Sequence, residues 1–205
     1  MSNIVTAKVQ IKGTRPLFQH KFGREALPLE KVELTGVAGH NPQEWRRTCM
    51  VAKDGQLYLP PTYIFATIRE GAKYHKIKRK SAMSFVQATV QIADNRILID
   101  RFYPGYPNGQ TFDIENVEPP DEDEELPVYL DVRGVRNPST RARNVRYRIA
   151  ASPGWRTEFT IFWDRTIISR ELMESIIIDA GRLVGLANGR AIGMGRFEVE
   201  SFEIE

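Results

Sequence analysis

Two dense basic clusters and one glycine-rich segment are the parts of this 205-residue chain whose residue types and spacing could do chemistry. The first cluster is Arg69, Lys73, Lys76, Lys78, Arg79 and Lys80. The second is Arg133, Arg136, Arg141, Arg143, Arg146 and Arg148, six arginines in sixteen residues with no acid from 132 to 149. Like charges at that density repel unless an anion sits among them. A nucleic-acid backbone supplies such anions, and each phosphate neutralised also releases a condensed counterion. A solvated basic loop would explain either cluster alone. Two clusters, with Arg182, Arg190 and Arg196 besides, favour a polyanion partner. Base stacking needs exposed aromatics, for which Tyr74, Tyr147 and Trp155 are candidates; Trp155, at an expected hairpin tip, is the one placed in solvent.

The glycine-rich segment runs Gly185-Leu186-Ala187-Asn188-Gly189-Arg190-Ala191-Ile192-Gly193-Met194-Gly195-Arg196-Phe197, with glycines spaced 4, 4 and 2 apart. Glycine permits positive φ and close backbone approach, so such a loop can turn several N–H groups toward a phosphate. Gly189, Gly193 and Gly195, with Arg190 and Arg196, are its candidate contacts. The segment lacks the Gly-Lys-Ser/Thr of a P-loop. It also follows a helix and precedes a strand, the reverse of a dinucleotide-binding fingerprint. A helix C-cap would need only one of the four glycines.

Catalytic chemistry finds less material. Cys49 is the one cysteine and His20, His40 and His75 the only histidines, which excludes a disulfide framework and a cysteine-based zinc cluster. No Ser-His-Asp order or two-metal carboxylate cluster stands out. His75 beside Lys73 and Tyr74, or His20 beside Lys21, could serve as a general base for metal-independent RNA cleavage, but a histidine at a helix end is ordinarily a surface or capping residue. The expectation is a non-enzyme with no metal and no cofactor. The opening residues do not read as a signal peptide and no apolar run reaches the ~20 residues of a membrane span. With one cysteine, this gives the expectation of a cytoplasmic protein with no membrane partner.

The net charge of +3 hides a segregation. Residues 113–125 carry eight acids and no Lys or Arg; without them the chain has 29 basic against 18 acidic residues, a balance of +11. With Pro119 and Pro120 inside it, this run reads as a solvated, mobile loop, or as an acidic flap competing with a polyanion for the basic surface.

The elements that would position these groups follow from periodicity. Strands are expected at 4–12, 31–36, 47–51, 57–59, 84–92, 97–99, 128–132, 143–149, 157–163 and 196–204. Pro60-Pro61-Thr62 opens a helix over 62–75, with Ile64, Ile68 and Ala72 on its buried face and Arg69, Lys73 and Lys76 on another. Ser169 caps a second helix that runs to about 184 with Leu172, Ile176, Ala180 and Leu183 buried, and Gly185 ends it. Pro153 and Gly154 suggest that strands 143–149 and 157–163 form a hairpin. In outline this is an α+β chain of one domain, 1–205. It is a ferredoxin-like or RRM-like β-α-β-β-α-β sheet backed by two helices, with loop and hairpin insertions and a mobile acidic insertion around 100–127.

The glycine-rich loop between the second helix and the last strand resembles that of the RAMP superfamily, which supplies RNA-binding subunits of CRISPR effectors. Gly13-Thr14-Arg15-Pro16-Leu17 after the first strand is similar to the start of such proteins. Leu57-Tyr58-Leu59-Pro60-Pro61-Thr62, leading into Arg69-Glu70-Gly71-Ala72-Lys73, resembles a segment of their backbone subunits. The run from Ala180 to Phe197 also resembles small phage and prophage proteins related to them. The likeness covers 1–12, 57–92 and 128–205 loosely, and 180–199 sharply. It implies a non-catalytic protein that coats single-stranded nucleic acid as a side-by-side homo-oligomer, within a larger ribonucleoprotein complex. This chain is shorter than typical CRISPR backbone subunits, so the large extra helical domain is expected to be absent and single-stranded DNA stays open beside single-stranded RNA. A phage single-stranded DNA-binding protein, a metal-independent endoribonuclease and a protein-interaction adaptor remain the alternatives.

Overall fold

The computed structural model describes residues 3–21, 41–136 and 143–205. Along the chain these form β1 (Ile4–Gly13), β2 (Leu17–Phe18), α1 (Glu44–Thr48), β3 (Gln56–Leu59), α2 (Pro61–Gly71), β4 (Lys76–Ile77), β5 (Lys80–Ser81), α3 (Met83–Thr89), β6 (Gln91–Ile92), β7 (Ile97–Phe102), β8 (Val128–Arg136), β9 (Arg143–Ala151), β10 (Arg156–Asp164), α4 (Arg170–Asp179) and β11 (Phe197–Ile204). The fold is mixed α+β with antiparallel sheets. No helix among the described residues is long and apolar enough to cross a membrane.

The larger sheet has the order β11-β1-β10-β7-β3, with β6 also paired to β10. β1 sits between β10 and β11 because its β-branched residues suit a pleated surface and bury Ala7, Val9 and Ile11 on one face. α2 and α4 cover that face. Pro61 starts α2 where its missing donor costs nothing, and Ile64, Ile68 and Ala72 all go into the core as the spacing predicts. Each such isoleucine contributes roughly 1.5–3 kcal/mol by burial. Gly71 lets the two helices touch: a Cβ there would lie 2.7 Å from that of Ala180. The Ser169 hydroxyl accepts the Leu172 N–H at 3.3 Å, as expected of the cap.

A second, smaller sheet has the order β2-β9-β8. β9 therefore does not form a hairpin with β10. It pairs with β8 along its whole length, Val128 opposite Ala151 through Arg136 opposite Arg143. The Pro153-Gly154 turn instead carries the chain from the small sheet to the large one, tied down by Gly154 N–H to the Gly13 carbonyl at 2.7 Å.

Three other expectations are corrected. Residues 47–51 are the end of α1 and an isolated bridge, Val51 to Leu57, rather than a strand. Most of 84–92 is α3, not a strand: Ala82 and Val86, four apart, are both fully buried, and only Gln91 and Ile92 extend into β6. Leu183 is 44% exposed, because a five-residue π-helical turn over Ala180–Val184 rotates it off the buried stripe that ends at Ala180. The proposed strand 31–36 lies outside the described residues. In β11, the imperfect alternation has a cause: a register shift opposite Gln10 and Ile11 lets Phe197 and Phe202 both be buried.

Residues 103–127 contain no helix or strand, but their backbone is held by side chains from elsewhere. Arg46 of α1 donates to the carbonyls of Ile114 and Val117, and Tyr103 to that of Glu118 at 2.5 Å. Phe112 packs on Tyr103 and Tyr106.

Candidate nucleic-acid interface

The outer face of the large sheet is electrically balanced. Lys8 meets Glu158 at 2.7 Å, Arg156 meets Glu200 at 3.0 Å, and Lys12 meets Glu198 at 4.0 Å. Unmatched positive charge lies elsewhere, in a groove of about 840 Å³ where three separate parts of the chain meet. One wall is the end of α2 with Glu70 and the 3-10 turn after it with Lys73; the second is the outer half of β8, from Arg133 to Arg136; the third is the glycine-rich loop from Ala187 to Ile192. These are the basic helix, the arginine cluster and the glycine segment that the sequence singled out.

Phe18 and Arg148 join two of these walls. Asn188 donates its N–H to the Phe18 carbonyl at 3.1 Å. Arg148 donates to Asn188 Oδ1 at 2.5 Å and to Asp131 Oδ2 at 2.6 and 3.1 Å, and its guanidinium lies over the buried Phe18 ring. Arg148 is therefore a structural tie between hairpin and loop: it is 3% exposed, its charge is spent on Asp131, and it is corrected as a phosphate contact. The sequence argument had overlooked Asp131, just outside the acid-free stretch, and Glu44 in α1.

Register then sorts the other arginines. Arg133 lies opposite Arg146, and like charges directly opposed are destabilising. Both are neutralised: Arg133 by Asp131 and by Glu124 at 3.0 Å, Arg146 by Glu44. Arg136 and Arg143, opposed at the outer end, are exposed and have no ionic partner among the described residues. Arg141 lies outside the described residues.

Glu44 is the hub of this corner, accepting also from the Tyr147 N–H at 3.1 Å and standing 3.5 Å from His20. Burial alone would raise the pKa of its carboxyl, but the bonds from His20, Tyr147 and Arg146 outweigh it and bring it down to about 2.

The glycine loop spends much of its backbone on itself. Leu186 donates to the Gly195 carbonyl at 2.8 Å, and Gly195 to Pro16 at 2.7 Å, while Gly193 donates to Arg190 at 3.0 Å. Gly195 has φ +68°, and a Cβ there would lie 2.0 Å from the Leu186 carbonyl oxygen, so glycine is required for the loop to close. The Gly193 and Gly195 N–H groups are thus not available to a phosphate. Those of Gly189, Arg190 and Ala191, three residues that line the groove, have no acceptor among the described residues. Arg190 itself is exposed and unpaired among the described residues.

Not every candidate reaches the groove. Trp155 is corrected outright: it is fully buried, donates its indole N–H to the Arg15 carbonyl at 2.9 Å and lies against Gly13, leaving no face for a base. Arg69 pairs with Glu70 at 3.1 Å and does not line the groove. Lys76, Lys78, Arg79 and Lys80 form the small β4–β5 hairpin beyond Lys73, outside the groove lining. Arg196 is half-buried, its carbonyl accepting from Thr14 at 2.8 Å and Arg15 at 3.3 Å. His75 Nε2 lies 2.9 Å from Asp179 Oδ2, away from the groove lining.

Sequence reasoning also missed the groove's apolar lining. Val135, Leu183 and Ile192 are 39%, 44% and 61% exposed and all three line it. An isoleucine set between glycines was the available signal. Among the described residues no cluster of three His, Cys, Asp or Glu could hold a metal.

No protein-family model matches the chain, and no curated protein does. Among solved structures it is similar to a chain of the cryo-EM structure of the type III-B Cmr-beta bound to cognate target RNA, at 12% identity and a TM-score of 0.48. The match covers 98% of this chain and 60% of that one, so this chain spans less than two thirds of its neighbour's length.

Proposed function

We propose that the groove between α2, β8 and the glycine-rich loop binds the backbone of single-stranded nucleic acid, RNA in the first instance, without cleaving it. The observation that carries this reading is the pair Arg136 and Arg190, exposed on two walls of one groove, with no acid matched to either among the described residues. Lys73 adds a third charge, only partly engaged by Glu70 at 3.6 Å. The apolar side chains of Val135, Leu183 and Ile192 give unpaired bases a surface to rest on, which a duplex with stacked bases would not use. Arginine positions phosphates without reading sequence, so binding is expected to be sequence-tolerant.

We read the order β11-β1-β10-β6 with α2 and α4 on one face as a ferredoxin-like unit of RAMP type, and copies of the chain as lining up along one strand in the cytoplasm as part of a ribonucleoprotein. The test is binding to matched 40-mers of single-stranded RNA, single-stranded DNA and duplex across a salt series, with electron microscopy of the products. Tight, salt-sensitive binding to a single strand with regular assemblies is expected. Equal or preferential binding to duplex would overturn the reading.

A further inference from the structure

We propose that a pocket adjoining the groove receives the phosphorylated terminal nucleotide of the bound strand. The inference rests on the groove being a strand site. The pocket measures about 380 Å³ and shares Ala187, Asn188 and Arg190 with the groove, so the two adjoin across the glycine-rich loop. Its volume is near the lower end of the ~300–1,000 Å³ usual for small-molecule sites, enough for one nucleotide and not for a continuing run.

Three groups lining this pocket keep a donor free: the Asn188 amide, the Thr62 hydroxyl and the Arg190 guanidinium. Asn188 Oδ1 is taken by Arg148, which leaves its amide NH₂. Thr67 donates its hydroxyl to the Gly185 carbonyl at 3.0 Å, and Tyr63 donates its own to the His20 carbonyl at 3.1 Å, fixing the Tyr63 ring as a wall. His20 turns Nε2 toward Glu44, leaving its other ring nitrogen, while the Thr62 hydroxyl and the Arg190 guanidinium have no partner among the described residues. Arg190 is near enough to Tyr63 to oppose the rise in its hydroxyl pKa that burial causes. α2 begins here with no side-chain cap and no acid in its first turn, so its N-terminal partial charge is not offset. Glu44, the carboxylate beside His20, is committed to Arg146, Tyr147 and His20.

A base needs acceptors as well as donors to be read. A phosphate needs donors only, which the Asn188 amide, the Thr62 hydroxyl and Arg190 supply, while the Thr67 and Tyr63 oxygens, their protons already donated, keep lone pairs for the attached sugar or base. A monoester carries close to two negative charges near neutral pH and presents three acceptor oxygens, more than the diester of a strand interior, so an end is favoured over an internal phosphate. The pocket would then fix where the first copy sits on a strand.

The experiment uses the full chain and one 12-mer single strand in three forms: 5′-phosphorylated, 3′-phosphorylated and with hydroxyls at both ends. Free 5′- and 3′-mononucleotides are titrated alongside by calorimetry. One phosphorylated end should bind about tenfold more tightly than the plain strand. Ala66→Leu, which fills the pocket, and Thr62→Val, which removes a donor, should each erase most of that gain and leave the plain strand's affinity unchanged. Equal affinity for all three strands, or a gain that survives Ala66→Leu in a protein of unchanged melting temperature, overturns the proposal. If no strand binds, the groove reading fails; mononucleotides that bind the parent chain but not Ala66→Leu would still support the pocket, and mononucleotides that also fail would overturn it.

Discussion

Replacing Arg136 and Arg190 together by alanine should flatten the salt dependence of strand binding without unfolding the protein. Both side chains are exposed and have no ionic partner among the described residues, so their removal strands no buried acid. Each phosphate contact on a single strand contributes about 0.7 to the slope of log affinity against log salt. Three contacts, from Lys73, Arg136 and Arg190, predict a slope near −2 for the parent chain, and the double variant should fall to about −0.7. Exposed charge-assisted bonds of this kind are worth about 1–1.5 kcal/mol each at low salt. The two residues stand on different walls, so their losses should nearly add, giving roughly a 30- to 150-fold weaker complex. Fluorescence anisotropy at several salt concentrations measures both quantities. Lys8→Ala, on the balanced face of the large sheet, is the matched control and should change neither. A double variant with the parent slope would refute the assignment of these arginines to phosphate contact.

Arg148→Ala should act on stability, stripping Asp131 Oδ2 of its partner while Arg133 still holds Oδ1, at a cost of about 3 kcal/mol, read as a melting temperature lower by roughly 6–12 °C. Gly195→Ala should cost several times what Gly193→Ala does in chemical denaturation. Both have positive φ, but only at Gly195 does a Cβ collide with backbone, while at Gly193 it meets open space and the loss is about 1 kcal/mol. Glu44 has a folded pKa of about 2, below its ordinary value of 4.5, so its stabilising contribution is complete above pH 4.5 and is lost as pH falls toward 2. Glu44→Gln should therefore flatten the acid limb of the stability–pH curve in that window.

The elements legible in the sequence were those whose burial follows one simple period. β1, α2 and β10 each present one clean apolar face to the core, and the proline and serine signals marked the starts of α2 and α4. α3 was misread because seven residues are too few to distinguish period 2 from period 3.6 when only Val86 and the preceding Ala82 are buried. The false β9–β10 hairpin shows that a turn signal fixes a change of direction, not a pairing partner. The groove was legible as three charged or glycine-rich segments because charge density is local in sequence. Which arginines remain free was not, since that depends on acids far away in the chain: Glu44 lies 102 residues from Arg146. Trp155 was misplaced for a related reason. Its position beside a turn suggested exposure, but the turn joins two sheets, and the indole fills the seam between them against Gly13.

The most direct measurement of where a strand lies is photocrosslinking of 4-thiouridine-bearing single-stranded RNA to the purified chain, with the linked peptides mapped by mass spectrometry. The account predicts crosslinks on 133–136 and 187–192 and beside Lys73, abolished together in the Arg136→Ala, Arg190→Ala chain. Crosslinks confined to the outer face of β1, β10 and β11, or unchanged in that variant, would contradict it.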